Sequence, residues 1–198
     1  MSAFFEIGAT LFGLVQGVLV MLNKRANWVF YTLQMLFLIV FSLISNLYGD
    51  LVGNSVYFAV GIVGFITWGR ADGRKIGECR GQERLVYSAL MLLLTAALFL
   101  TLNKTNDPLP LIDAFTTVSG AFATYYMLTK KLDAWILWFI NDVVYIVEYY
   151  LLPERAWYLL SLNVVWTAMA VASFIEWRKI MKRERKNEEN IFCGQVQA

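Results

Sequence analysis

Three stretches of this chain, 28–45, 51–68 and 85–102, contain no charged side chain at all. A helix needs about 20 mostly apolar residues to cross the hydrocarbon of a bilayer. A helix in a water-soluble bundle needs a polar face instead, and these stretches have none to offer. Four further apolar stretches, 4–22, 111–128, 135–152 and 156–177, have similar length. Seven membrane spans are therefore expected, joined by short connections except at 69–84. The first stretch has neither a basic leader nor a small-residue cleavage site, so it reads as a span and not as a signal peptide.

Composition agrees. Of 198 residues, 59% are apolar and 16% charged, where a soluble domain carries about 25% charged. This composition argues against a soluble globular fold, a disordered chain and a nucleic-acid binder. There is no histidine, which removes every histidine-dependent zinc, haem or triad mechanism. No cofactor, no metal site and no enzymatic activity are expected.

Lysine and arginine set the orientation, because they concentrate on the cytoplasmic side. With seven spans, 23–27, 69–84, 129–134 and the tail from 178 fall on one side and hold 15 of the 17 basic residues; Lys104 and Arg155 are the other two. The N-terminus is expected outside and the C-terminus in the cytoplasm. Cys79 and Cys193 then face a reducing compartment as free thiols. The basic run from Arg178 to Lys186 would lie near anionic lipid. One transmembrane domain over 1–186 is expected, with a disordered tail over 187–198.

The chain also resembles itself. A shift of 107 pairs Thr10 with Thr117, Gly13 with Gly120, Lys24 with Lys131, Trp28 with Trp135 and Gln34 with Asn141. After a two-residue insertion near Pro153, a shift of 109 pairs Leu51 with Leu160, Asn54 with Asn163, Ala59 with Ala168 and Trp68 with Trp177. The same register sets Tyr31 against Trp138 and Tyr57 against Trp166. Each unit holds three spans, about 4–68 and about 111–177, with 85–102 between them. Two units in the same membrane orientation require an odd number of linking helices, and one is what remains. Such parallel repeats hold their site between them near the midplane.

Polar side chains inside hydrocarbon are costly and mark cavities or partners. In the sixth span Trp135, Trp138, Asn141, Asp142, Tyr145, Glu148 and Tyr149 follow spacings of three and four, which places them on one stripe. Ile136, Leu137, Ile140, Val143 and Val147 take the other side. Tyr31 and Gln34 in the second span, Asn54 and Tyr57 in the third, and Asn163 and Trp166 in the seventh join that stripe, Tyr149 excepted, in a candidate substrate set of twelve. Aromatics stack on a ring, amides bond its polar edges, and carboxylates with tryptophan faces favour a cation. Interhelical hydrogen bonding would employ the same amides. Trp28, Trp68 and Trp177, at span ends, read as interface anchors. Gly13-x-x-x-Gly17, Gly61-x-x-Gly64 and the small residues Thr116, Thr117, Ser119, Gly120, Ala121 and Ala123 read as close packing between helices. An intramembrane enzyme using Asp142 and Glu148 lacks any paired motif, and a channel would want a ring of like residues.

The run Trp135-x2-Trp138-x2-Asn141-Asp142 resembles the PnuC family of bacterial vitamin transporters. So do Asp113-Ala-Phe-Thr-Thr-Val-Ser, Leu128-Thr-Lys-Lys-Leu before Trp135, and Leu47-Tyr48-Gly49-Asp50 before the third span, which Trp68 ends. The resemblance covers about residues 5–180. It implies an all-α polytopic membrane protein of SWEET-like fold, with seven transmembrane helices in a 3+1+3 parallel repeat, often a homotrimer. It implies facilitated diffusion of nicotinamide riboside across the inner membrane, trapped by a cytoplasmic kinase, with thiamine, riboflavin or deoxynucleosides carried by relatives. The chain departs from the nicotinamide riboside members at Asn54, Asn163 and Glu148, where glutamine, tyrosine and an apolar residue are common. The expected partners are a cationic, ring-bearing vitamin, the lipid bilayer and further copies of the chain.

Overall fold

A computed structural model describes residues 2–44, 48–68, 75–104, 109–151 and 157–196. Seven α-helices follow in order: α1 Ser2–Met21, α2 Asn27–Ile44, α3 Tyr48–Trp68, α4 Gly81–Leu102, α5 Pro110–Leu128, α6 Asp133–Leu151 and α7 Trp157–Val196. The expected spans match these helices closely, except at the end of α7. Leu47 and Pro153, named above, and the side chains of Tyr149 and Cys193 lie outside the described residues.

The distribution of side chains is the reverse of a soluble protein's. Leu85, Leu92 and Leu93 are 65–73% exposed, while Ser119 and Asn141 are 0–1% exposed. Lipid is the solvent that allows leucine outside, and helices satisfy their own backbone groups there. Among the described residues α4 is the one helix that by length and composition alone is long and apolar enough to cross a membrane; Ile7–Met21, Asn27–Val40 and Asn54–Trp68 are shorter apolar runs.

Two compact units divide the chain, Met1–Arg74 and Lys75–Ala198. In the first, α2 packs on α1 and on α3; in the second, α5 packs on α4 and α6, and α6 on α7. The linking helix α4 therefore belongs with the second repeat.

The two repeats share backbone detail. Two residues past the end of α1 stands Asn23 (φ 53°) and two past α5 stands Lys130 (φ 55°), both in the left-handed region and 107 apart. Around Asn23, the N–H of Lys24 donates to Leu19 (2.8 Å) and that of Asn23 to Val20 (2.9 Å); around Lys130, Lys131 donates to Tyr126 (2.8 Å) and Lys130 to Met127 (3.0 Å). This six-to-one and five-to-two pair is the Schellman closure of a helix. Asparagine tolerates that conformation; lysine holds it at a steric cost of about 1 kcal/mol or more.

Two expectations are corrected. The tail from Asn187 is not disordered: α7 continues as helix to Val196. Its Lys, Arg and Glu are good helix formers, Lys179 pairs with Glu176 at 3.3 Å, and the Glu184 carboxylate accepts from the Ile76 N–H at 3.4 Å. Nor do Trp28 and Trp177 anchor an interface, since both are 0% exposed. Trp28 meets Trp68 edge to face (5.4 Å, 86°) and Trp177 meets Trp135 in the same way (5.2 Å, 88°). Gly64 leaves room for the Trp28 ring, which a Cβ at that position would overlap. At the equivalent place in repeat two stands Ser173, 1% exposed.

Candidate functional site

The second unit builds most of the candidate set. On α6, Trp135, Asn141 and Asp142 are 6%, 1% and 6% exposed, and Trp138, Tyr145 and Glu148 are half-buried. Ile136, Phe139, Ile140, Val143 and Val147 are exposed on the opposite side. The stripe read from spacing is therefore the inward face of α6. Of the apolar residues assigned to the other side, Leu137 alone is half-buried.

That face meets the small side of α5. Ser119 and Ala123 are 0% exposed. The Ser119 hydroxyl lies 2.8 Å from Asn141 Oδ1 and 2.6 Å from the carbonyl of Phe115, so one proton serves two acceptors. A Cβ on Gly120 would stand 3.2 Å from Asn141 Nδ2. The amide thus lies over a glycine, oriented by a hydroxyl. On α7, Asn163 is 9% exposed, the Thr167 hydroxyl donates to its carbonyl at 2.7 Å, and Trp166 is half-buried.

The first unit repeats the amide-on-glycine contact. A Cβ on Gly13 of α1 would stand 2.7 Å from Gln34 Nε2, the counterpart of Gly120 and Asn141. Tyr31 lies edge-on to Trp28 (5.6 Å, 79°), and a Cβ on Gly61 of α3 would stand 3.1 Å from its ring. Asn54 and Tyr57 on α3 are half-buried. Each unit therefore gathers its own share of the twelve nominated residues. No metal-binding cluster of histidine, cysteine, aspartate and glutamate occurs among the described residues.

Sequence reasoning missed one polar cluster. Asp133, in the first turn of α6, accepts from the backbone N–H of Cys79 at 2.7 Å and from Arg84 Nε at 2.7 Å. Beside it Lys131 pairs with Glu83 at 3.1 Å. Gly77 donates to Lys130 (3.1 Å) and accepts from Leu132 (2.8 Å). The segment before α4 is thereby fastened to the turn between α5 and α6. Burial first, and then the Asp133 carboxylate, push the Cys79 thiol up to about 11, so it is neutral at physiological pH. The sequence signal was slight: an acid opening a span, where repeat one has Ala26.

Residues 3–179 match the family model described as nicotinamide mononucleotide transporter. The chain is similar to the nicotinamide riboside transporter PnuC of Neisseria mucosa, with 26% identity over 191 residues, covering 88% of this chain and 72% of that protein. Its fold is that of a crystal structure of the vitamin B3 transporter PnuC, with a TM-score of 0.72 at 22% identity, covering 91% of this chain and 83% of the other.

Proposed function

The chain belongs to the nicotinamide mononucleotide transporter family, and from that membership we propose that it imports nicotinamide riboside across the bacterial inner membrane by facilitated diffusion. The nominated cargo residues are Tyr31, Gln34, Asn54 and Tyr57 in the first repeat, and Trp135, Trp138, Asn141, Asp142, Tyr145, Glu148, Asn163 and Trp166 in the second. Aromatic faces take the pyridinium ring and amides take the ribose and carboxamide.

Charge favours the nucleoside over its phosphate ester. No lysine, arginine or histidine falls within any of the seven apolar stretches, while Asp142 and Glu148 do. A phosphate carried into such a site would be desolvated without a countercharge, whereas a cation would find one. This is the observation that carries the reading. Thiamine, also a ring-bearing cation, is the second reading, favoured by the same carboxylates and by Asn54 and Asn163, which differ from the usual residues of nicotinamide riboside carriers. Nothing in the set calls for a coupling ion, so accumulation rests on a cytoplasmic kinase that phosphorylates the cargo. The 15-to-2 bias of basic residues supports an external N-terminus and a cytoplasmic C-terminus, and the resemblance supports a homotrimer.

The test is calorimetric titration of the detergent-purified protein with nicotinamide riboside, nicotinamide mononucleotide and thiamine in turn, followed by uptake into liposomes. Binding and uptake of the riboside, with none of the mononucleotide, is expected. Thiamine binding alone would transfer the assignment to the second reading. Mononucleotide binding as tight as the riboside's would overturn the charge argument.

A further inference from the structure

The second unit carries a groove unrelated to the twelve cargo residues. It has a volume of about 290 Å³ and runs between α4 and α6 over the surface of α5. Arg84, Ser88 and Asp133 line its polar end, and Met91, Phe122, Ile136 and Leu137 its apolar end. The geometry points to a binding site for one glycerophospholipid, its phosphate at Arg84 and an acyl chain along Met91 and Ile136.

Three observations converge on that occupant. First, polarity changes along the groove as it does through a leaflet. Arg84 stands in the first turn of α4 and Met91 is seven residues on, about 10 Å deeper along the helix. Second, Arg84 has donors to spare. Asp133 takes its Nε at 2.7 Å, yet the side chain remains 54% exposed, leaving the two terminal amino groups of a guanidinium for a phosphate. Its neighbour Ser88 is also exposed and adds a hydroxyl donor. Asp133 thus orients the fork that would hold the headgroup. Third, the groove opens toward lipid. Ile136 is 46% exposed on the side of α6 away from Asn141, and Leu85, Leu92 and Leu93 on α4 are 65–73% exposed. A lipid seated there would fill the cleft left between α4 and α6.

Native mass spectrometry of the detergent-purified protein tests this, with titration of phosphatidylglycerol, phosphatidylethanolamine and diacylglycerol. One retained phospholipid per chain is expected, bound about tenfold more tightly than diacylglycerol, the value of one charge-assisted contact. Arg84→Gln should remove that preference. Ser88→Trp, which leaves the Arg84–Asp133 pair in place, should plug the groove and release the lipid. Equal retention of diacylglycerol, competition by glycerol 3-phosphate at the same concentration, or undiminished lipid binding by Ser88→Trp would each overturn the proposal.

Discussion

Replacing Asp133 with alanine removes two hydrogen bonds of equal length and unequal worth. The bond to Arg84 Nε is 2.7 Å long, but the Arg84 side chain is 54% exposed. Water replaces much of what is lost there, so the pair contributes no more than about 1 kcal/mol. The bond from the Cys79 N–H is also 2.7 Å, and Cys79 is 5% exposed. Its amide would be left buried without an acceptor, at a cost of about 1.5–3 kcal/mol for a bond to a charged group. Alanine is the better helix former, but an acid in the first turn favours the helix dipole by a similar amount, so these terms cancel. Asp133→Ala should therefore destabilise the protein by about 2–3 kcal/mol, and Arg84→Ala by less than about 1. Thermal unfolding in detergent reads both, at roughly 2–4 °C per kcal/mol for a chain of this size. Hydrogen exchange at the Cys79 amide should accelerate in the first variant and stay protected in the second. If Arg84→Ala unfolds as readily as Asp133→Ala, the guanidinium and not the amide is what Asp133 serves, and the reasoning fails.

Gly64→Ala should cost about 1–3 kcal/mol, because the added methyl overlaps a rigid, fully buried indole; the equivalent change Ser173→Ala removes a buried hydroxyl without a hydrogen-bond partner and should be neutral or stabilising by thermal unfolding. Cys79 should react slowly with iodoacetamide at pH 8. Its folded pKa is raised, so its contribution to stability is complete below the unfolded pKa of about 8.5 and is lost as pH rises toward about 11; a stability maximum lying above pH 11 would contradict this. Trp138→Ala should abolish binding of nicotinamide riboside in calorimetry while the helical circular dichroism is retained. Glu148→Gln should weaken a cationic cargo by about 1–2 kcal/mol if the charges approach in a partly desolvated site, and an unchanged affinity would place Glu148 off the cargo path.

Helix positions were legible in the sequence because span length is set by the bilayer, and apolar runs report it directly. The α6 face was legible because helical spacing sorts Asn141 from Ile140 without any knowledge of neighbours. The tryptophans were misread for a definite reason. Trp28 and Trp177 stand where a lipid-interface anchor would stand, and span position does not distinguish a ring facing headgroups from one facing Trp68 or Trp135. The Asp133 cluster was hidden because it joins residues 49 and 54 positions apart, beyond any local pattern. Helix beyond Asn187 was missed because a polar run at the end of a chain reads as solvated tail, although α7 continues through it to Val196.

The matched helix ends at Asn23 and Lys130 make the two turns interchangeable parts. Their local backbone hydrogen bonds match over Leu22–Trp28 and Thr129–Trp135, the second turn adding one from the Leu132 N–H to Gly77, yet Asn23, Arg25 and Ala26 correspond in sequence to Lys130, Leu132 and Asp133. Divergence has gone into side chains that serve different neighbours: Arg25 bonds the Phe65 carbonyl at 2.8 Å near the end of α3, while Asp133 secures α4. A designer could therefore transplant the residue at the left-handed position from the first turn to the second, relieving the strained lysine, whereas exchanging the residues two or three positions later would cut each copy loose from the helix it holds.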